Sequence, residues 1–379
     1  MRADYFDFVL PTSVIFGPGK VEVLPAELSR SGFGRAAIIT DKGIEKAGTL
    51  NESVTSLKRQ RIEVKVFAEV QANPHVESVK ECLQFLRDYR PDCIIAIGGG
   101  SSLDTAKAAG VCYANDLNDV AQTQQREGLK RSLPIIAVPT TAGTGSEVGY
   151  WAVVSDRKTN EKLSIGDPTM APYMAIVDPE LTTTLPPRLT LWTGIDALTH
   201  AVEAYFSTLS NRISDMLCLE AISLILKSLE QAVEEGSNLQ PRGDMALASL
   251  LAGAAMQHVG LGLVHAMSHQ VSGFYDTAHG LANAILLPHV LEFNTPGCRD
   301  KVKTLDNLAE DRKSFMGWLE EVYQRYNLNE EVVEIKEEDI LTMAERAKGN
   351  VNARTNPRKA EIADVIGIYK KSFKVIGRG

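Results

Sequence analysis

Three histidines, His265, His269 and His279, fall within LGLVHAMSHQVSGFYDTAHGL (261–281), and six of the chain's seven histidines lie between positions 200 and 289. Upstream, GIDALTHAVEAY sets Asp196 four residues before His200. On a helix that spacing puts both side chains on one face, one turn apart. His265 and His269 repeat the spacing, and His279 follows a turn expected in GFYDTAHG. One carboxylate and two or three imidazoles suit Zn2+ or Fe2+, leaving a coordination position open for substrate. Two plainer readings compete. Thr193-x-x-Asp196 matches a capping box at a helix start, and His200 would do as a satisfied core histidine. Spacing leaves open which histidines bind. His258 and His289 are expected to be structural, and His75, in NPHVES, to lie in a surface loop.

Two glycine-rich turns offer a second chemistry. GGGSSLDTAK (98–107) follows an apolar strand and opens a helix. Backbone N–H groups there can approach a pyrophosphate, and the helix N-terminus adds partial positive charge. PTTAGTGSEV (139–148) also follows a strand, and Thr140, Thr141 and Thr144 can bring hydroxyls to the same ligand. The usual GxGxxG with an acid some 20 residues later is absent from the first strand–turn unit. Instead Asp41, in IITDKG, comes first. Its carboxylate can accept from an adenosine ribose and repel a 2′-phosphate, or it can cap the next helix.

These groups need elements to hold them. From about 35 to 155, AAIIT (36–40), VKVFAEV (64–70), CIIAIGGG (93–100) and PIIAVPT (134–140) alternate with amphipathic helical stretches, which predicts an α/β unit with a mostly parallel sheet. After LPP (185–187) the pattern turns to long Ala- and Leu-rich helices, so the second half is expected to be all-helical. Two domains follow, 1–187 and 188–379, a number that 379 residues readily support. NEEVVEIKEEDI (329–340) reads as a solvated helix or turn, and Tyr150 and Trp151 as packing of the interdomain core or as walls of a substrate pocket.

A net charge of −8, with no cluster of Lys and Arg, argues against a nucleic-acid partner. The five cysteines are scattered and form no CxxC, which fits a reducing cytoplasm. Acidic residues interrupt MRADYFDFVLPTSVIFG, so no signal peptide is read, and no run of 18 apolar residues suggests a membrane span.

Taken in order, GGGSSLDTAK, PTTAGTGSEV, Asp196-x3-His200 and GLVHAMSHQVSGFYDTAHGLANAILLPHV closely resemble the iron-containing (group III) alcohol dehydrogenases, from FGPGK (16–20) through Phe293 and Asn294, with a weaker echo in TNPR (355–358). The resemblance implies a dinucleotide-binding α/β domain and an all-α domain, the dehydroquinate synthase-like arrangement, with the active site in the cleft between them. It implies Asp196, His200, His265 and His279 as metal ligands, for Fe2+ or alternatively Zn2+, and His269 beside the nicotinamide without binding metal. Gly98, Gly99, Gly100, Ser101 and Asp104 would surround the pyrophosphate, and Thr140, Thr141, Thr144 and Ser146 the ribose and nicotinamide. Asn73, Lys162 and Leu181 would line the cofactor cleft. Asp41 matches the acid that goes with NAD rather than NADP. Substrates would be small alcohols, diols or aldehydes such as lactaldehyde or propanediol, and the protein a homodimer or larger homo-oligomer.

One departure is the compact segment between Asn294 and Asp339, which lacks a Gly-Leu-Pro-like turn. A metal-dependent lyase of the dehydroquinate synthase type is the rival. It would want converging Lys and Arg near the histidines, and none is expected there.

Overall fold

The computed structural model describes residues 5–309 and 314–377. Residues 1–4 of the N-terminal stretch, 310–313 of the compact segment and 378–379 lie outside the described residues. The four apolar runs read from the sequence all become strands of one sheet, three of them central and VKVFAEV at an edge, and four further strands in this half are not announced by sequence periodicity. In chain order the first half runs β1 (Ser13–Phe16), α1 (Leu24–Arg30), β2 (Arg35–Asp41), α2 (Lys42–Lys46), α3 (Thr49–Arg59), β3 (Glu63–Val70) and α4 (Val76–Tyr89). It continues through β4 (Cys93–Gly98), α5 (Gly100–Ala114), β5 (Ile135–Pro139), β6 (Trp151–Asp156), β7 (Glu161–Gly166) and β8 (Met174–Val177).

Six strands form one parallel sheet in the order β1-β8-β5-β4-β2-β3. β4 and β5 are buried along their whole length, which explains unbroken apolar runs rather than alternation: helices cover both faces. After β2 the chain steps outward to β3, then crosses to the far side of β2 for β4. The order therefore reverses between β2 and β4, and a crevice opens beyond their carboxyl ends, where open α/β sheets bind ligands. Asp41 ends β2 and Gly98 ends β4. β6 and β7 leave the sheet as an antiparallel hairpin.

The second half is helical: α6 (Pro187–Phe206), α7 (Arg212–Glu234), α8 (Leu239–Val259), α9 (Leu263–Tyr275), α10 (His279–Asn294), α11 (Arg299–Leu308), α12 (Phe315–Arg325), α13 (Glu337–Gly349) and α14 (Ile362–Ser372). One core, from Leu191 to Phe373, unites them. A short parallel pair, β9 (Glu334–Lys336) with β10 (Lys374–Ile376), interrupts the helices. The charged stretch 329–340 is thus not one solvated helix or turn. It contains β9 and the start of α13, because Ile335 and Ile340 are buried and pin it to the core. No single helix among the described residues is long and apolar enough to cross a membrane.

The halves meet tightly at the second glycine loop. A Cβ on Gly253 of α8 would lie 2.6 Å from the carbonyl oxygen of Gly145, and Ser249 Oγ accepts from Gly145 N–H at 3.2 Å. The β6–β7 hairpin reaches across as well. Arg346 of α13 donates to Thr159 O at 3.0 Å, and a Cβ on Gly273 of α9 would meet Asn160 O.

Candidate metal and cofactor site

Helix α6 carries Asp196 and His200 on one buried face, the deepest stretch of the helical core. Its start is not where a capping box would place it: the helix begins at Pro187, and Thr193 Oγ1 donates back to Leu189 O at 2.8 Å from mid-helix. Thr193 therefore caps nothing. Helix α9 delivers His265 and His269, and α10 opens on His279 after a left-handed Asp276 breaks the chain direction.

These elements bring Asp196, His200, His265 and His279 together so that one ligand atom from each lies within 4.8 Å of the others. Asp196 Oδ1 is 3.9 Å from His265 Nε2 and 3.8 Å from His279 Nε2. The His200 and His265 rings stack at 4.4 Å. His269 is not in this group. Its ring centroid stands 6.2 Å from that of His265 and 5.4 Å from that of His279.

Burial decides the charge state of these rings. Desolvation pushes the His200 imidazole down to about 4 against the pull of Asp196, and holds His269 and His279 well below the usual range, with Lys162 adding to the effect. These three rings, His200, His269 and His279, are neutral at pH 7, the form in which imidazole binds metal. Tautomers are directed too: His200 Nδ1 lies 3.1 Å from Gly143 O, and His265 Nδ1 lies 2.7 Å from a Glu203 carboxylate oxygen. A carbonyl or carboxylate at Nδ1 leaves Nε2 free for an ion. Donor set, spacing and protonation fit a divalent cation.

The cofactor side shows a cradle. At Gly98 (φ +147°) a Cβ would lie 2.5 Å from Ser102 Oγ, and at Gly100 it would lie 2.7 Å from Thr144 Cγ2, so only glycine lets the two loops face each other this closely. No side chain caps α5, whose first turn, with Ser101, opens onto this cradle. Thr140 N–H donates to Gly98 O at 3.0 Å, and Thr141 packs at Gly99. Asp104 behaves differently: its oxygens accept from Ser146 Oγ at 2.6 Å and Val153 N–H at 2.9 Å, with Lys107 at 3.6 Å. It ties the second loop and β6 to α5. Asp41 Oδ1 caps α2 through Gly43 and Ile44, while Oδ2 lies 3.5 Å from where a Gly98 Cβ would be. The capping reading is thus seen directly on one oxygen, and the other oxygen lies beside Gly98 at the end of β4.

Asn73 and Lys162 join a contact across the halves. Asn73 Nδ2 donates to Asp276 at 2.8 Å, and Lys162 Nζ donates to Asn73 Oδ1 at 3.2 Å. Burial pushes Lys162 down to about 8, opposed by Asp104, Asp196 and Asp276. Lys162, carried in by the hairpin from the sheet half, is the cation that acts on His269 and His279, and no convergence of Lys and Arg from the helical half accompanies it among the described residues. Leu181 packs against the outer sheet core.

His75 is not a surface residue. It is 5 % exposed, since β6 covers it: Ser155 N–H donates to Pro74 O at 2.7 Å. Tyr150 joins the halves through a hydrogen bond to Gln257 O at 3.0 Å, but Trp151 is 37 % exposed and lies over Gly166 of the hairpin rather than in the interdomain core.

Two residues at the site lie inside the stretches quoted above but were given no role there. Asn283, one turn beyond His279 on α10, donates to Asp196 Oδ1 at 2.6 Å and lies 3.2 Å from Nε2 of both His265 and His279. Glu203, seven residues after Asp196, completes a polar stripe at i, i+4 and i+7 on α6. In an otherwise apolar buried helix, that stripe was a readable signal.

A family profile described as "Iron-containing alcohol dehydrogenase" matches residues 11–179, and one described as "Fe-containing alcohol dehydrogenase family, C-terminal" matches 190–373. The chain is 37 % identical to a 1,3-propanediol dehydrogenase of Klebsiella pneumoniae, covering 97 % of this chain and 99 % of that one. It is 35 % identical to the lactaldehyde reductase of Escherichia coli (strain K12), covering 96 % and 99 %, and 34 % identical to an NAD-dependent methanol dehydrogenase of Bacillus methanolicus, covering 97 % and 100 %. Among solved structures, an alcohol dehydrogenase from Oenococcus oeni superposes with a TM-score of 0.91 at 33 % identity, covering 97 % and 100 %.

Proposed function

The chain belongs to the iron-containing alcohol dehydrogenase family, and from that premise we propose a metal-dependent alcohol dehydrogenase or aldehyde reductase that moves hydride between NAD(H) and a small primary alcohol, diol or aldehyde. The observation that carries this reading is the convergence of Asp196, His200, His265 and His279, three of them buried, on a point reached by the glycine cradle's second loop. We assign these four as the ligands of Fe2+, which Zn2+ would also suit. When bound, the ion supplies Lewis acidity at the substrate oxygen, and NAD the hydride acceptor.

The chain's own residues do the rest. Gly98, Gly99, Gly100 and Ser101 let the backbone approach a pyrophosphate at the N-terminus of α5. Thr140, Thr141, Thr144 and Ser146 line the opposite wall, and Asp104 serves by holding Ser146 and β6 in place. Asp41 selects NAD by turning a carboxylate oxygen toward the crevice, where a 2′-phosphate would be repelled. Lys162, Asn73 and Leu181 line the cofactor cleft. His269, neutral and buried, handles the hydroxyl proton. The domain boundary falls at 187/188, supported by β8 ending at Val177 and α6 starting at Pro187. Five free cysteines fit the cytoplasm. Exposed Tyr5, Val9 and Leu10 support self-association through the N-terminal segment.

The test is NADH formation from 1,3-propanediol, 1,2-propanediol and methanol, and NADH consumption with lactaldehyde, by anaerobically purified protein given Fe2+ or Zn2+. Metal-dependent turnover of at least one is expected. Absence of turnover with either ion across the panel would contradict the proposal.

A further inference from the structure

We infer that Glu203 is a positioning residue for the metal site, its carboxylate fixing both the orientation of the His265 ring and the start of the helix that bears it. The inference rests on the reading of His265 as a ligand. Glu203 is 4 % exposed on α6, with no Lys or Arg paired to it among the described residues. Four N–H groups of one segment serve it instead. Oε1 accepts from Val264 N–H at 2.6 Å, and Oε2 accepts from Gly262 N–H at 3.0 Å, His265 N–H at 3.3 Å and His265 Nδ1 at 2.7 Å. Helix α9 has no side-chain cap from its own Gly262, so Glu203 satisfies its first N–H groups from across the core. The approach is close enough that a Cβ on Gly262 would lie 2.7 Å from Glu203 Oε1.

The consequence for the site is geometric. A carboxylate is an acceptor only, so Nδ1 of His265 must carry its proton and Nε2 must present a lone pair, toward Asp196 Oδ1 at 3.9 Å. Such outer partners orient a ligand imidazole and raise its basicity, and their loss typically costs about 10- to 100-fold in metal affinity. Asn356 provides the control. Its Oδ1 accepts from Leu263 N–H at 3.1 Å, anchoring the same helix end without touching the imidazole.

The experiment titrates metal-stripped full-length protein with Zn2+ against a chromophoric chelator, and records the visible spectrum of the Co2+-loaded form. Glu203→Gln should weaken Zn2+ binding at least about tenfold and shift the Co2+ bands. Asn356→Ala should lower thermal stability with both readouts unchanged. Should Glu203→Gln fail to fold, Glu203→Asp, which keeps the charge but withdraws it by one methylene, carries the same expectation. Zn2+ affinity within twofold of wild type in the glutamate variant, or an equal loss in Asn356→Ala, would overturn the inference. Failure of wild type itself to bind Zn2+ would instead refute the underlying site.

Discussion

Alanine in place of Gly253 separates packing from propensity. Inside a helix the change normally stabilises by about 1 kcal/mol. Here the new Cβ would stand 2.6 Å from Gly145 O, 2.7 Å from its Cα and 3.0 Å from its carbonyl carbon. Carbon–carbon contacts settle at about 3.5 Å or more, so relieving the approach to Gly145 Cα makes the second glycine loop retreat by about 0.8 Å. Backbone cannot swing aside as a flexible side chain would. Overpacking costs about 1–3 kcal/mol, leaving a net loss of about 1 kcal/mol after the propensity gain. The larger effect falls on chemistry, because the loop that moves also carries Gly143, whose carbonyl meets His200 Nδ1 at 3.1 Å, and Thr144, which faces Gly100. A misplacement approaching 1 Å at a reacting site can cost up to about 100-fold, so kcat/KM with NAD should fall about 10- to 100-fold. Gly243→Ala is the internal control: same helix, but its Cβ would meet only Pro179 Cγ at an ordinary 3.8 Å. Urea denaturation and steady-state kinetics of the two variants give the answer. If Gly253→Ala is as stable and active as Gly243→Ala, the close approach of α8 and the loop does not shape the site.

His269→Ala should lower turnover or change its pH dependence while metal content stays at the wild-type level by elemental analysis; lost metal would make His269 a ligand. Asp41→Gly should relax discrimination against NADP at a stability cost of only a few tenths of a kcal/mol, since glycine is itself a tolerable cap; an unchanged NAD/NADP preference would confine Asp41 to capping. Lys162, pushed down to about 8 by burial, should make NAD binding weaken as pH rises past 8, by up to about tenfold per unit, with Lys162→Met lacking that limb in a fluorescence titration. The histidines act at the acid end. The unfolded chain takes up protons near about 6.5, whereas folded His200 does so only near 4, so stability of metal-stripped protein should fall as pH drops through that window. A flat thermal midpoint between pH 7 and 5 would argue against buried neutral rings.

The features legible in the sequence were those written in local periodicity. Runs such as IIAIG and IIAVP are apolar enough to announce central strands, and Asp196-x3-His200 encodes a shared helix face without any tertiary knowledge. β1 and β8 are four residues each, too short for a pattern, and β6–β7 look amphipathic because only one face of the hairpin is covered. That hairpin accounts for most of what sequence order conceals. It buries His75 beneath Ser155, and it brings Lys162 to histidines about 100 residues later in the chain. That the turn after β4 and the acid ending β2 share one crevice follows from the reversal of strand order between them, a fact of topology that no local motif carries. Glu203 was half legible: the polar stripe it forms with Asp196 and His200 shows that its side chain shares their buried face, but its four N–H donors come from a helix start some 60 residues later, which no local pattern carries.

The most direct measurement is anomalous diffraction at the iron edge from crystals of protein loaded with Fe2+ under anaerobic conditions. One peak per chain is expected, enclosed by Asp196, His200, His265 and His279 and lost in His279→Ala. A metal-dependent enzyme whose anomalous peak lies elsewhere, or persists at full height in His279→Ala with His279 out of contact, would contradict it.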